Sequence, residues 1–148
     1  MILALDVGNT ETVVGLFHDE DLHAHWRIGT RPERTVDEMG LLLRSLMREA
    51  DIDTAVVTGA GIASVVPPLT PVFVEACRRY LHADVVVIDA ASDLPIRLDV
   101  EEPLSVGADR IVNTLAAARL YDKDTIAVDF GTATTFDCIG IDGSFRGG

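Results

Sequence analysis

Two short segments of this chain end an apolar run in an aspartate, place a glycine two residues later, and continue with hydroxyl and amide side chains. The first is Ala4-Leu5-Asp6-Val7-Gly8-Asn9-Thr10, continuing through Glu11-Thr12-Val13, and the second is Ala127-Val128-Asp129-Phe130-Gly131-Thr132-Ala133-Thr134. A carboxylate at a strand end can hold a cation or a cation-bound water, and glycine lets the backbone approach an anion with no Cβ in the way. Asn and Thr side chains donate hydrogen bonds to phosphate oxygens beside successive backbone N–H groups, which together line an anion-binding concavity. The chemistry indicated is the grip of a nucleotide's phosphates by two facing hairpins. One Asp-x-Gly-x-Thr turn would mean little, because hairpin turns use these residues for conformational reasons alone. A turn has no need to repeat its upstream strand and its hydroxyl pattern together, so the second copy carries the argument.

A third segment, Val106-Gly107-Ala108-Asp109-Arg110-Ile111-Val112-Asn113, puts an acid and a base side by side at the start of an otherwise apolar helical stretch. Two readings stand. Asp109 can complement the helix dipole while Arg110 pairs with a surface acid. Alternatively, Asp109 is a general base aimed at a substrate hydroxyl, with Arg110 neutralising a substrate anion and Gly107 letting a ligand approach the backbone.

The elements that must position these residues follow from periodicity. Strand-like runs at 2–7, 11–17 and 22–28 with short links imply an antiparallel meander. A helix follows from Val36, with Thr35 as N-cap, Glu38 closing a capping box, and apolar positions at Met39, Leu42, Leu43, Leu46 and Met47. A strand is expected at 54–58. Next comes a second helix capped by Thr70 with Pro71 at its first position, then a strand at 85–88. The order β-β-β-α-β-α-β describes an α/β fold, a mixed five-stranded sheet covered on both faces. It is the order of the ribonuclease H-like, actin-like ATPase unit. A third helix at 108–121 leads into the second strand-turn-strand copy, which reads as the first hairpin of a truncated second domain. The expected division is 1–122 for the first domain with its linking helix and 123–148 for the start of the duplicate.

Composition narrows the partners. The chain has 148 residues, 48% of them hydrophobic, enough for an ordinary core. A formal net charge of −12 argues against a nucleic-acid partner, which needs a clustered cationic footprint. The two cysteines, Cys77 in a helical stretch and Cys138 in a strand, read as small buried hydrophobes. His18, His23 and His25 lie at strand-edge spacing with no accompanying cysteine or matched acid and read as solvated or partly packed, and Trp26 as a sheet-packing residue. With no long apolar span or leader pattern, the expectation is a cytoplasmic protein without a membrane partner.

Asp6-Val7-Gly8-Asn9-Thr10, Ser64-Val65-Val66-Pro67-Pro68-Leu69-Thr70-Pro71, the Gly107–Asn113 segment and Val128-Asp129-Phe130-Gly131-Thr132-Ala133-Thr134-Thr135-Phe136-Asp137 together resemble type III pantothenate kinase, all in order along the chain. The resemblance implies a member of the acetate and sugar kinase/Hsp70/actin superfamily that phosphorylates pantothenate from ATP, the first step toward coenzyme A. It implies Asp109 as the proton acceptor, Gly107, Ala108, Asp109 and Arg110 against pantothenate, and Asp6 to Val13 along the ATP phosphates. It further implies Thr132 on ATP, Asp129 on a monovalent cation (K⁺ or NH₄⁺), Mg²⁺ held indirectly near Asp6, and a homodimer. Where many members place a substrate-contacting Tyr, seven residues before Gly107, this chain has Val100.

Two other functions stay in view. A non-catalytic accessory relative would keep the fold but be expected to lose Asp6, Asp109 or Asp129, and all are present. A ribonuclease H-like nuclease using the same three aspartates on two metals fits the fold but not the phosphate turns or the acidic balance.

Overall fold

A computed structural model describes residues 1–148, which form two compact units, Met1–Val87 and Ile88–Gly148. This division rests on compactness. The 1–122/123–148 division rests on duplication, a different criterion.

In the first unit β1 (Ile2–Val7), β2 (Glu11–His18) and β3 (Asp21–Gly29) form the expected meander, followed by α1 (Val36–Glu49), β4 (Gly59–Ser64), α2 (Thr70–Leu81) and β5 (Asp84–Ile88). The five-stranded sheet runs β3-β2-β1-β4-β5, with β1 antiparallel to β2 and parallel to β4. Register sorts the side chains into cross-strand rows. Leu16, Leu3 and Ala60 form one row, and Val14, Leu5 and Ile62 the next, all buried on one face. Met39, Leu43 and Met47 of α1 and Phe73, Ala76, Cys77 and Leu81 of α2 complete that core. The expectation of cover on both faces is corrected in this unit. Both helices join the same core and meet where Gly40 of α1 accommodates the Tyr80 ring, while Ile2 and Asp6, on the alternate phase of β1, are exposed.

Three further expectations change. Residues 54–56 form a single 3₁₀ turn, because the Asp53 carboxylate accepts from the Ala55 N–H at 3.0 Å and curls the chain there. The strand begins at Gly59, in a run of small residues with little strand propensity. The α2 N-cap is Leu69 with no side-chain cap, so Thr70 already lies inside the helix. The Thr35–Glu38 capping box is present as expected.

The second unit contains β6 (Arg97–Leu98), α3 (Ala108–Leu120), β7 (Thr125–Phe130), β8 (Thr134–Ile139) and β9 (Ser144–Phe145). Its sheet runs β6-β9-β8-β7, with β7, β8 and β9 antiparallel in sequence and β6 parallel to β9. Helix α3 buries Ala108, Ile111, Thr114 and Ala117 along one stripe. The alternation of β8 turns Asp137 and Ile139 inward and leaves Thr134, Phe136 and Cys138 exposed. Cys138 is therefore not the buried hydrophobe expected, since its strand phase points outward, whereas Cys77 is fully buried.

Candidate active site

The first phosphate turn is built by β1 and β2. Their pairing runs to Val7 opposite Thr12, and the Gly8 N–H then donates to the Glu11 carbonyl at 3.1 Å, leaving Asn9 and Thr10 at the tip. A Cβ on residue 8 would stand 2.9 Å from the Glu11 carbonyl oxygen, which is why glycine is needed there. Thr30, which no motif singles out, braces the turn. Its hydroxyl donates to the Gly8 carbonyl at 2.7 Å and lies 2.9 Å from the Thr12 hydroxyl, and its N–H donates to Thr10 at 2.9 Å.

The predicted nucleotide-binding residues thus divide by exposure. Asp6, Asn9, Thr10 and Glu11 are exposed, Gly8 and Val13 half-buried, and Val7 and Thr12 buried. Val7 and Thr12 serve the core and the brace, and the Val7 carbonyl accepts from Val65 at 3.0 Å, drawing the Ser64–Pro71 loop to the turn. Glu11 is committed to an ion pair with Arg27 at 2.7 Å. Asp6 stands in a row with Val13 and Ala63 on the face away from the core.

The second unit holds the other half of the predicted set. Its turn is one residue tighter: Asp129 pairs with Thr135, and the Gly131 N–H donates to the Ala133 carbonyl at 3.2 Å. Asp129, Gly131 and Thr132 are exposed. Gly107 is the N-cap of α3, and Asp109 lies half-buried in the first turn, its carboxylate accepting from the Arg110 N–H at 2.8 Å. Arg110 does not pair with a surface acid. Its Nη1 lies 3.4 Å from Asp137, whose side chain is 1% exposed against 27% for Arg110. Val100, Gly107 and Arg110, with Phe145, Gly147 and Gly148, line a shallow depression of about 260 Å3.

Asp137 closes the second phosphate-turn motif without a role assigned to it by the sequence, and it is a buried carboxylate. Burial pushes its carboxyl above the ordinary carboxylate range. The Arg110 guanidinium and the Asn113 side chain oppose that shift, while the nearby charges of Asp109 and Asp129 add to it. Neither oxygen makes a well-formed hydrogen bond, so the ion pair is its main compensation. The signal was present in the sequence: in the alternation of 134–139, Asp137 takes the same phase as Ile139, a charge where a core residue is due.

No group of three or more His, Cys, Asp or Glu side chains is assembled to hold a metal. The exposed carboxylates Asp6 and Asp129, each beside a hydroxyl- or amide-bearing turn, suit a hard cation that takes most of its ligands from phosphate oxygens and water. No helix is long and apolar enough to cross a membrane.

A family model described as type III pantothenate kinase matches residues 2–148. The chain belongs to that family. Type III pantothenate kinases from Thermomicrobium roseum and Moorella thermoacetica are 44% and 45% identical to it, covering all of this chain. The chain in turn spans 57% and 58% of those relatives' lengths. Among solved structures, an inorganic polyphosphate/ATP-glucomannokinase from Arthrobacter sp. strain KM superposes with a TM-score of 0.52 at 16% identity, covering 98% of this chain and 60% of that one. A reductive activator for a corrinoid, iron-sulfur protein superposes with a TM-score of 0.60 at 14% identity, covering 95% of this chain and 29% of that one. At such identities these two establish the mixed α/β fold alone.

Proposed function

We propose that the protein to which this chain belongs transfers the γ-phosphoryl group of ATP to the primary hydroxyl of pantothenate, giving 4'-phosphopantothenate at the start of coenzyme A synthesis. The observation that carries this reading is the family match across residues 2–148, with Asp6, Asp109 and Asp129 all in place. Support also comes from the half-buried position of Asp109 in the first turn of α3, next in sequence to Arg110, which lines the depression with Gly107.

In this mechanism the Asp109 carboxylate takes the proton of the pantothenate hydroxyl as its oxygen bonds to the γ-phosphorus. The bond from that phosphorus to the β–γ bridging oxygen breaks, and ADP leaves. A loose, highly charged transition state of this kind needs positioning and charge neutralisation more than covalent help. Asn9 and Thr10 at the first turn and Thr132 at the second donate to phosphate oxygens. Gly107, Ala108 and Arg110 meet pantothenate, with Val100 shaping one wall. Asp6 would hold Mg²⁺ through water and Asp129 would hold K⁺ or NH₄⁺, and these cations would supply positive charge that a chain of net charge −12 has little of.

The same reading makes 123–148 the first hairpin of a duplicated domain following a ribonuclease H-like domain at 1–122, and makes the working protein a cytoplasmic homodimer. The test is pantothenate-dependent ADP release by the longest natural form of the chain with Mg²⁺, with and without K⁺. Turnover that requires pantothenate and rises with K⁺ is expected. No turnover from folded protein would instead favour the accessory-protein reading.

A further inference from the structure

We infer that Asp137 is a positioning residue for the substrate segment, holding Arg110 from behind so that the guanidinium is presented to the depression beside Val100 and Gly107. The inference rests on the kinase reading above and extends it to a residue outside the predicted contact set.

The geometry is directional. Asp137 is 1% exposed and Arg110 27% exposed across a contact of 3.4 Å, so the arginine reaches from a buried anchor to an open surface. Arg110 and Asn113 lie one turn apart on α3, so both are close to Asp137 on β8. The Arg110 carbonyl also accepts from the buried Thr114 hydroxyl at 2.8 Å, which fixes that turn of the helix. A helix is docked onto a sheet as well or better by an apolar residue, because a buried carboxylate loses its hydration and regains little. Neither Asp137 oxygen makes a well-formed hydrogen bond, so what the carboxylate adds to docking is the direction it gives Arg110. A guanidinium that meets a substrate anion must keep a fixed orientation, and a charged partner behind it supplies one.

The experiment uses the longest natural form of the chain and steady-state kinetics against pantothenate and ATP separately. Wild type, Asp137→Asn, Arg110→Gln and the double variant are compared, each with a thermal unfolding curve. Asp137→Asn is expected to raise the pantothenate KM by about tenfold while the ATP KM stays within about twofold. The double variant is expected to be no worse toward pantothenate than Arg110→Gln alone, since a residue acting through Arg110 has nothing to act on once Arg110 is gone. An unmoved pantothenate KM in Asp137→Asn, or losses that multiply in the double variant, overturns the inference while leaving the kinase reading intact. If Asp137→Asn does not fold, Asp137→Glu keeps the charge and shifts it by one methylene. A raised pantothenate KM with unchanged ATP KM supports the inference, and unchanged values for both overturn it. A wild type without pantothenate-dependent turnover removes the kinase reading and this inference with it.

Discussion

Asp137 sets a pH dependence with a definite sign. Burial raises its folded pKa above the ordinary 3.8, so between that value and the raised one the folded state binds the proton more readily than the unfolded state. This group's contribution to stability therefore falls as pH rises through this window, and the cost of the buried charge persists above it. Asp137→Asn removes that contribution, so its stability relative to wild type should improve as pH rises from about 3 to about 7, read from urea unfolding. A difference that stays flat or declines over that range would contradict the assignment. The cysteines give a simpler check. Burial pushes the Cys77 thiol up to about 12, whereas Cys138 is exposed on the outward phase of β8. A thiol reagent at neutral pH should titrate Cys138 in the native chain and Cys77 only after denaturation. Fast reaction of both would show that α2 is not packed as described. At this scale the sequence made residue types legible but not commitments. Nothing in Glu11 announces its pairing with Arg27, and Arg110 found a buried acid because only the β8 register places Asp137 beneath α3.

Elements were legible where local signals and tertiary packing agree. Helix α1 carries its own start in Thr35 and Glu38, and its expected apolar residues Met39, Leu43 and Met47 are the ones buried. Thr35→Ala should cost about 1 kcal/mol by chemical denaturation, because the Glu38 N–H loses its acceptor. Phe73 is fully buried where α2 meets the sheet, and Phe73→Ala should cost about 3–5 kcal/mol. A Phe73 loss smaller than the Thr35 loss would mean that the core is not where it is described. β4 was missed for a physical reason. Gly59, Ala60 and Gly61 are poor strand formers in isolation, and they hold a strand here because β1 and β5 flank it in the sheet. The same tertiary override moved the α2 boundary, where the turn from Val66 to Leu69 makes Leu69 the N-cap and starts the helix at Thr70, the residue whose hydroxyl would have capped it.

At the scale of the molecule, a mixed five-stranded sheet opening with an antiparallel meander was readable, because short links force antiparallel neighbours and helical crossovers force parallel ones, and the structure orders its strands β3-β2-β1-β4-β5. Compactness was not readable in the same way. The expected boundary followed the repeated phosphate turn, whereas the two compact units divide after Val87, ahead of α3. The residues assigned to chemistry are shared between those units, with Asp6 in one and Asp109 and Asp129 in the other. The account therefore depends most on Asp109 as the group that takes the substrate proton. The most direct measurement is the rate of 4'-phosphopantothenate formation by Asp109→Asn against wild type, in the longest natural form, with folding of both verified by circular dichroism. The account predicts a folded variant whose kcat falls by about 10²–10⁴-fold, the range for loss of a general base. A folded Asp109→Asn enzyme turning over at the wild-type rate would contradict it.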